Sequence, residues 1–338
     1  MNLEHVAFHN LGALEPLPGL GENGLVRIPA RVRNTLNSRA RFIGMDSVGI
    51  EVRFVTDAPD VDIYLSVQKP EFGDRGTVRI FRGNFQFQVL TIEPGVTHFF
   101  RLNAPPAFAQ ANEALLAGGG FAPQVWRIVF DRSSYVFHGV HTHGYEIRPP
   151  RAEELPVRNW LAYGSSITNS GLDGYVHVAA AQLKVQVQNK GFSGACQIEK
   201  TLVDYLIDEC PWDFITCELG VNMRGQYSPE DFESRATYLI DRLVKTKKPA
   251  LILSIFPNSN TEVYTKATST VSDNEKAYNA ILVRLVEQAK CPTLKLVHGY
   301  DILTDVNGLS ADLIHPTTYG HAVMGLNLAV KLREFLKG

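Results

Sequence analysis

The chain has 338 residues, enough for two domains that each bury a core, and its 45% hydrophobic and 20% charged residues are ordinary for a globular protein. A formal net charge of -2 provides no basic excess for nucleic acid or anionic lipid. No apolar run approaches the roughly 20 residues needed to span a bilayer.

The first ten residues lack a basic segment followed by an apolar run, so they do not read as a secretory signal. The four cysteines, Cys196, Cys210, Cys217 and Cys291, have no metal-ligand spacing and read as buried thiols of a reducing compartment. The expected location is the cytoplasm.

Residues 1–150 read as all-β. Residues 49–55, 61–67 and 77–81 alternate apolar and polar side chains, the period of half-buried strands. Arg82-Gly83-Asn84-Phe85 fits a hairpin turn into a strand at 85–90. Residues 126–130 and 135–137 add strands, and 104–124, rich in Ala, Gly and Pro, reads as a long connection with a short helix within 109–117. Short strands with turns between them predict a β-sandwich or jelly roll. Phe81, Phe85, Phe87, Phe99 and Phe100 are expected in its core. His138, His141 and His143 suggest a metal, but no carboxylate or cysteine stands at convincing spacing, so they are read as strand or interface histidines and no metal site is assigned.

Three prolines and several charges within 147–156 mark a linker, and residues 151–338 read as a second domain. Short apolar runs at 160–164, 184–189, 213–219, 250–256 and 294–297 suit strands buried on both faces of a parallel sheet. Helices separate them. Ser228-Pro229-Glu230-Asp231 has a capping hydroxyl before a first-turn proline, and Ser272-Asp273-Asn274-Glu275 has capping-box spacing.

In open α/β sheets the loops after the strands gather along one crevice. Here they carry Ser166, then Gly194, then Asn222, with Asp312 and His315 near the C-terminus. A serine hydroxyl attacks weakly unless a base removes its proton; histidine has a suitable pKa and needs its other nitrogen anchored. Asp312 and His315 can supply anchor and base. The oxyanion formed by attack needs donors fixed in advance. The Ser166 and Gly194 N–H groups and the Asn222 amide can serve.

Four blocks in order resemble the SGNH (GDSL-type) hydrolase superfamily: Gly164-Ser165-Ser166-Ile167-Thr168, Gly191-Phe192-Ser193-Gly194, Gly220-Val221-Asn222 and Asp312-Leu313-Ile314-His315-Pro316. The resemblance covers about 158–335. It implies a flavodoxin-like, three-layer α/β/α domain with a parallel sheet. It assigns Ser166, Asp312 and His315 to catalysis and Ser166, Gly194 and Asn222 to the oxyanion hole, with no cofactor. The implied substrate is a small acyl ester, the acetyl ester of a sugar included. The all-β first half is similar to the N-terminal jelly roll of some carbohydrate-esterase branches.

Two positions depart from the family. Ser165 stands where an aspartate is usual, and Met223 stands where an aspartate often follows the asparagine. Met223 is expected to make the pocket edge apolar and to leave Arg224, read as a solvated charge or a substrate contact, without that partner. The polar segment 257–271 is expected either to border the substrate pocket or to be a plain mobile loop. Acyl transfer through the same site, and carbohydrate binding by a decayed hydrolase, stand as alternatives. The sequence leaves the oligomeric state open, homo-oligomers included.

Overall fold

The computed structural model describes residues 3–71, 73–266 and 268–337. By contact the chain divides into two units, one of Met1–Ala30, Gly44–Val157 and Lys184–Gln188, the other of Arg31–Ile43, Arg158–Leu183 and Asn189–Gly338.

The first unit holds β1 (Ala7–His9), β2 (Ala13–Leu17), β3 (Gly21–Val26), β4 (Glu51–Thr56), β5 (Asp60–Val67), β6 (Gly76–Arg82), β7 (Phe85–Ile92), β8 (Thr97–Asn103), β9 (Val125–Phe130), β10 (Tyr135–His141) and β11 (Ile147–Arg148). They form two antiparallel sheets, one ordered β1-β4-β9-β6-β7 with β11 on β4, the other β2-β3-β10-β5-β8. Inward side chains of both, among them Val52, Phe54, Ile80 and Trp126 of the first and Ile63, Leu65 and Phe137 of the second, share one hydrophobic cluster. Burial of such side chains, at about 25 cal/mol per Å² of apolar surface, is the main force holding the sheets together.

The hairpin at Arg82–Phe85 forms as expected, Arg82 paired with Phe85 and Gly83 at φ 58°. Several expectations fail: β5, expected half-buried, also buries Asp62 and Ser66 of its polar face, and Phe81 lies outside the core cluster, its ring under the Arg127 guanidinium. β4 is buried on both faces, because its polar face carries Glu51 and Arg53 into an ion cluster with Arg127. Phe85 and Phe99 are exposed, 39% and 51%: Phe85 sits at the hairpin end of the edge strand β7, and Phe99 points outward opposite Tyr64 on the edge strand β8.

A five-stranded sheet comprises β12 (Asn159–Gly164), β13 (Gln186–Gly191), β14 (Phe214–Glu218), β15 (Ala250–Leu253) and β16 (Leu294–Val297) in the order β13-β12-β14-β15-β16, all of it in the second unit except Gln186–Gln188. β12, β14, β15 and β16 pair in parallel. Along the chain this order is 2-1-3-4-5, so the direction of winding reverses between β12 and β14. Buried Trp160 stacks on Phe214 and donates its indole N–H to Thr216 Oγ1 at 3.0 Å, tying these two strands.

The helices are α1 (Ala30–Arg33), α2 (Ser38–Ile43), α3 (Glu113–Ala117), α4 (Tyr175–Leu183), α5 (Lys200–Asp208), α6 (Pro229–Thr246), α7 (Thr270–Ala289) and α8 (Thr318–Phe335). α4 packs on α8 and α6 on α7. Ser228 caps α6 as the sequence predicts. α7 begins earlier than expected: Ser269, not Ser272, accepts the capping bond. Asn274 and Glu275 are buried instead and bond to the 224–261 region, which is why their polarity marks no helix start. Among the described residues, no helix is long and apolar enough to cross a membrane.

Candidate active site

β12 runs into the turn Gly164-Ser165-Ser166 at the reversal point of the sheet. A Cβ on Gly164 would meet Thr168 Oγ1 at 2.2 Å and Glu218 Oε2 at 2.7 Å, so the turn can close this tightly only on glycine. Ser165 is fully buried. Its N–H donates to Glu218 Oε2 at 2.7 Å and its hydroxyl accepts the Ile167 N–H at 3.2 Å. The serine that replaces the usual aspartate is therefore part of the turn's internal bonding. Ser166, the next residue, is partly exposed.

Ser166 Oγ lies 2.8 Å from His315 Nε2, and His315 Nδ1 lies 2.6 Å from Asp312 Oδ2. The loop holding the last two is shaped by the carboxylate itself. Asp312 Oδ1 accepts the N–H groups of Ile314 and His315, both at 2.9 Å, and the Ser310 hydroxyl at 2.8 Å. Leu313 takes a left-handed φ of 55° to allow it. Burial pushes the Asp312 carboxyl up, but the bonds from His315, Ile314 and Ser310 outweigh it and hold the group well below its usual range. A carboxylate kept ionised beside Nδ1 favours a proton there and a lone pair at Nε2, facing the serine. Such an arrangement can take a proton from serine and return it.

Gly194 follows β13 at φ 69°, the left-handed region that glycine occupies without strain. Asn222 follows β14; its Oδ1 accepts the Cys196 N–H at 3.1 Å, which fixes the orientation of the amide and turns Nδ2 the other way. All five residues singled out from the sequence lie on loops of the second unit.

Two residues of this region escaped sequence reasoning. Glu218 is buried under the Ser165 turn, where it also accepts the Thr168 hydroxyl at 3.1 Å. Burial raises its pKa, and the bonds from Ser165 and Thr168 oppose that rise. An acid inside an apolar strand was the available signal. Arg39 of α2 donates from Nε to the Ser193 carbonyl at 3.1 Å; nothing local in the sequence points to this contact.

Arg224 and Met223 differ from expectation. Arg224 is buried and paired with Glu275, and it donates to Asn258 Oδ1 at 2.9 Å. Glu275 thus supplies the carboxylate that the motif lacks. Met223 is fully buried and forms no open pocket edge. The segment 257–271, apart from Ala267, which lies outside the described residues, is anchored: Ser259 N–H donates to the Leu313 carbonyl at 2.8 Å and Thr261 to Glu275 at 2.8 Å. All four cysteines are free, three of them buried.

Among curated proteins, none matches the chain in sequence. The solved structures that share its fold include these three. A salicylyl-acyltransferase from a tetracycline biosynthetic pathway has 13% identity and a TM-score of 0.79, over 98% of this chain and 94% of that one. A protein from Bacteroides ovatus described as a GDSL-like lipase has 15% identity and a TM-score of 0.71, over 99% and 97%. A family two carbohydrate esterase from Cellvibrio japonicus has 12% identity and a TM-score of 0.59, over 99% and 96%. Residues 162–323 match the GDSL-like lipase/acylhydrolase family. The chain therefore carries a GDSL-like lipase/acylhydrolase domain of SGNH hydrolase fold, with antiparallel β-sheets on its N-terminal side.

Proposed function

We propose that this chain is a serine esterase acting on small acyl esters, acetyl esters of a carbohydrate foremost. The observation that carries the reading is the continuous hydrogen-bonded series Ser166 Oγ, His315 Nε2, His315 Nδ1, Asp312 Oδ2, at 2.8 and 2.6 Å.

Ser166 Oγ attacks the ester carbonyl while His315 Nε2 accepts its proton, and Asp312 stabilises the imidazolium. The carbonyl oxygen becomes an oxyanion, held by the backbone N–H groups of Ser166 and Gly194 and by Asn222 Nδ2. Collapse expels the alcohol, which takes the proton from His315. Water then attacks the acyl-serine, again through His315, and frees the acid. Every group in this sequence belongs to residues 151–338, the proposed catalytic domain. The sugar acetyl ester is supported by the carbohydrate esterase that shares the fold.

Hydrolysis of a short acyl nitrophenyl ester by wild type and Ser166→Ala tests the reading. A loss of at least about 10³-fold in turnover is expected, and equal rates would remove Ser166 from the mechanism. Labelling of Ser166 by a fluorophosphonate separates this reading from a carbohydrate-binding protein with a dead site, which would not react.

The second reading is transfer of the acyl group to an alcohol acceptor, favoured by the whole-chain fold match to an acyltransferase. Product analysis with candidate acceptors decides it; hydrolysis undiminished by every acceptor counts against transfer.

A further inference from the structure

The first unit brings together two imidazoles and a carboxylate from distant stretches of sequence. Asp62 stands directly opposite His141 across β5 and β10, and opposite Arg101 across β5 and β8, so the three side chains form one cross-strand row. His143 lies just past the end of β10 with a left-handed φ of 53°. That backbone turn brings its ring edge-to-face against His141, centroids 4.6 Å apart, with Nε2 3.1 Å from Asp62 Oδ2. One ligand atom from each of Asp62, His141 and His143 falls within 4.8 Å of the others.

We propose that Asp62, His141 and His143 bind one divalent ion of the zinc class, with water as fourth ligand. Two ligand atoms about 2 Å from a tetrahedral ion stand about 3.3 Å apart, which the His143–Asp62 separation already fits. Two imidazoles with one carboxylate suit such an ion better than magnesium or calcium, which prefer all-oxygen sets.

Arg101 also holds Asp62, Nε to Oδ1 at 2.8 Å and Nη2 to Oδ2 at 3.0 Å. Each carboxylate oxygen has two lone pairs. Arg101 can therefore orient the group from outside the coordination shell while Oδ2 faces the ion. Its charge keeps the site weaker than a closed structural zinc centre. Binding would fasten the turn after β10 to β5.

Calorimetric titration of tag-free, EDTA-stripped full chain with Zn²⁺ tests the site. One ion per chain is expected, with a melting temperature that rises with Zn²⁺. His143→Ala should bind at least about 10-fold more weakly, while its melting curve in EDTA matches wild type and so shows that it folds. Stoichiometry well below one, or equal affinity in His143→Ala, overturns the proposal.

A different observation, resting on the esterase reading, concerns Arg39. The Ser193 C=O and the Gly194 N–H belong to one trans peptide plane and point in opposite directions. Arg39 Nε holds that carbonyl at 3.1 Å. It thereby aims the N–H away from itself, and its cationic donor polarises the amide into a stronger hydrogen-bond donor. We infer that Arg39 is a positioning residue for the Gly194 oxyanion donor.

Arg39→Met and Arg39→Lys test this, with active sites counted by fluorophosphonate labelling. The Met variant should lose about 10-fold in kcat per labelled site with KM unchanged, and Lys should restore part of it. Unchanged kcat per labelled site in Arg39→Met overturns the inference. If Ser166→Ala also matches wild type, the esterase reading itself has failed.

Discussion

Glu218 Oε2 accepts the Ser165 N–H at 2.7 Å, so the turn presenting Ser166 stands on a buried carboxyl group. Glu218→Ala would leave the Ser165 N–H and the Thr168 hydroxyl without this acceptor. A loss of about 2–4 kcal/mol is expected in urea denaturation. Glu218→Gln keeps an acceptor and should lose much less.

The same pair of variants yields a pH dependence. Burial raises the folded pKa of Glu218 above its ordinary 4.5. Its contribution is complete below the unfolded value and is lost as pH rises through the folded one. Glutamine has no proton to lose. The stability of Glu218→Gln relative to wild type should therefore improve as pH rises above about 4.5.

Asp312→Asn separates loop structure from proton chemistry. Asparagine Oδ1 can still accept the Ile314 and His315 N–H groups, so the loop should persist. Its Nδ2 would face His315 Nδ1 and favour the tautomer with the proton on Nε2, the wrong nitrogen for a base. A fall of about 10³-fold in kcat is expected for a nitrophenyl ester, with little change in melting temperature.

β12 and β15 were legible because strands buried on both faces leave unbroken apolar runs, as at Trp160–Tyr163, whereas β16 is buried only at Leu294 and β13 is largely polar. The loop residues were legible because each block carries its own local pattern. What escaped detection depends on pairing across the chain. Asp62 meets His141 only through strand register. Arg224 finds Glu275 across 51 residues of sequence, on a helix whose capping residue was itself misjudged. Arg39 lies within 31–43, which the composition of the first 150 residues folds into an all-β reading although the segment joins the second unit. Periodicity reports which face is apolar; it carries no information about which distant polar group completes a buried pair.

The Arg224–Glu275 pair supports a double-mutant cycle. Arg224→Met alone would leave a buried carboxylate uncompensated and should cost about 3 kcal/mol. Adding Glu275→Gln removes that charge while keeping partners for Asn258 and Thr261. The double variant should be more stable than the sum of the single losses predicts, by about 1–3 kcal/mol in denaturant midpoints converted to free energy.

Glu154 anchors the connection after β11. It accepts two bonds from Arg148, at 2.7 and 2.8 Å, and one from Arg151 N–H at 2.6 Å. Arg148 foremost lowers its pKa from 4.5 to about 2, against burial. The stabilisation is present above 4.5 and lost as pH falls through 2. Glu154→Gln should cost about 1–2 kcal/mol at neutral pH. That gap should close as pH falls from about 4.5 to about 2, measured as melting temperature against pH.

The segment Arg31–Ile43 leaves the β-rich unit early and is counted with the other. Besides Arg39 on Ser193, it places the Asn37 N–H on Glu199 Oε1 at 2.8 Å. Neither unit is thus a contiguous stretch of chain, and no single cut separates them. A fragment beginning at 151, or a chimaera exchanging only the downstream half, would inherit Ser193 and Glu199 without the partners that hold them. An exchange of the second unit has to carry residues 31–43 with it.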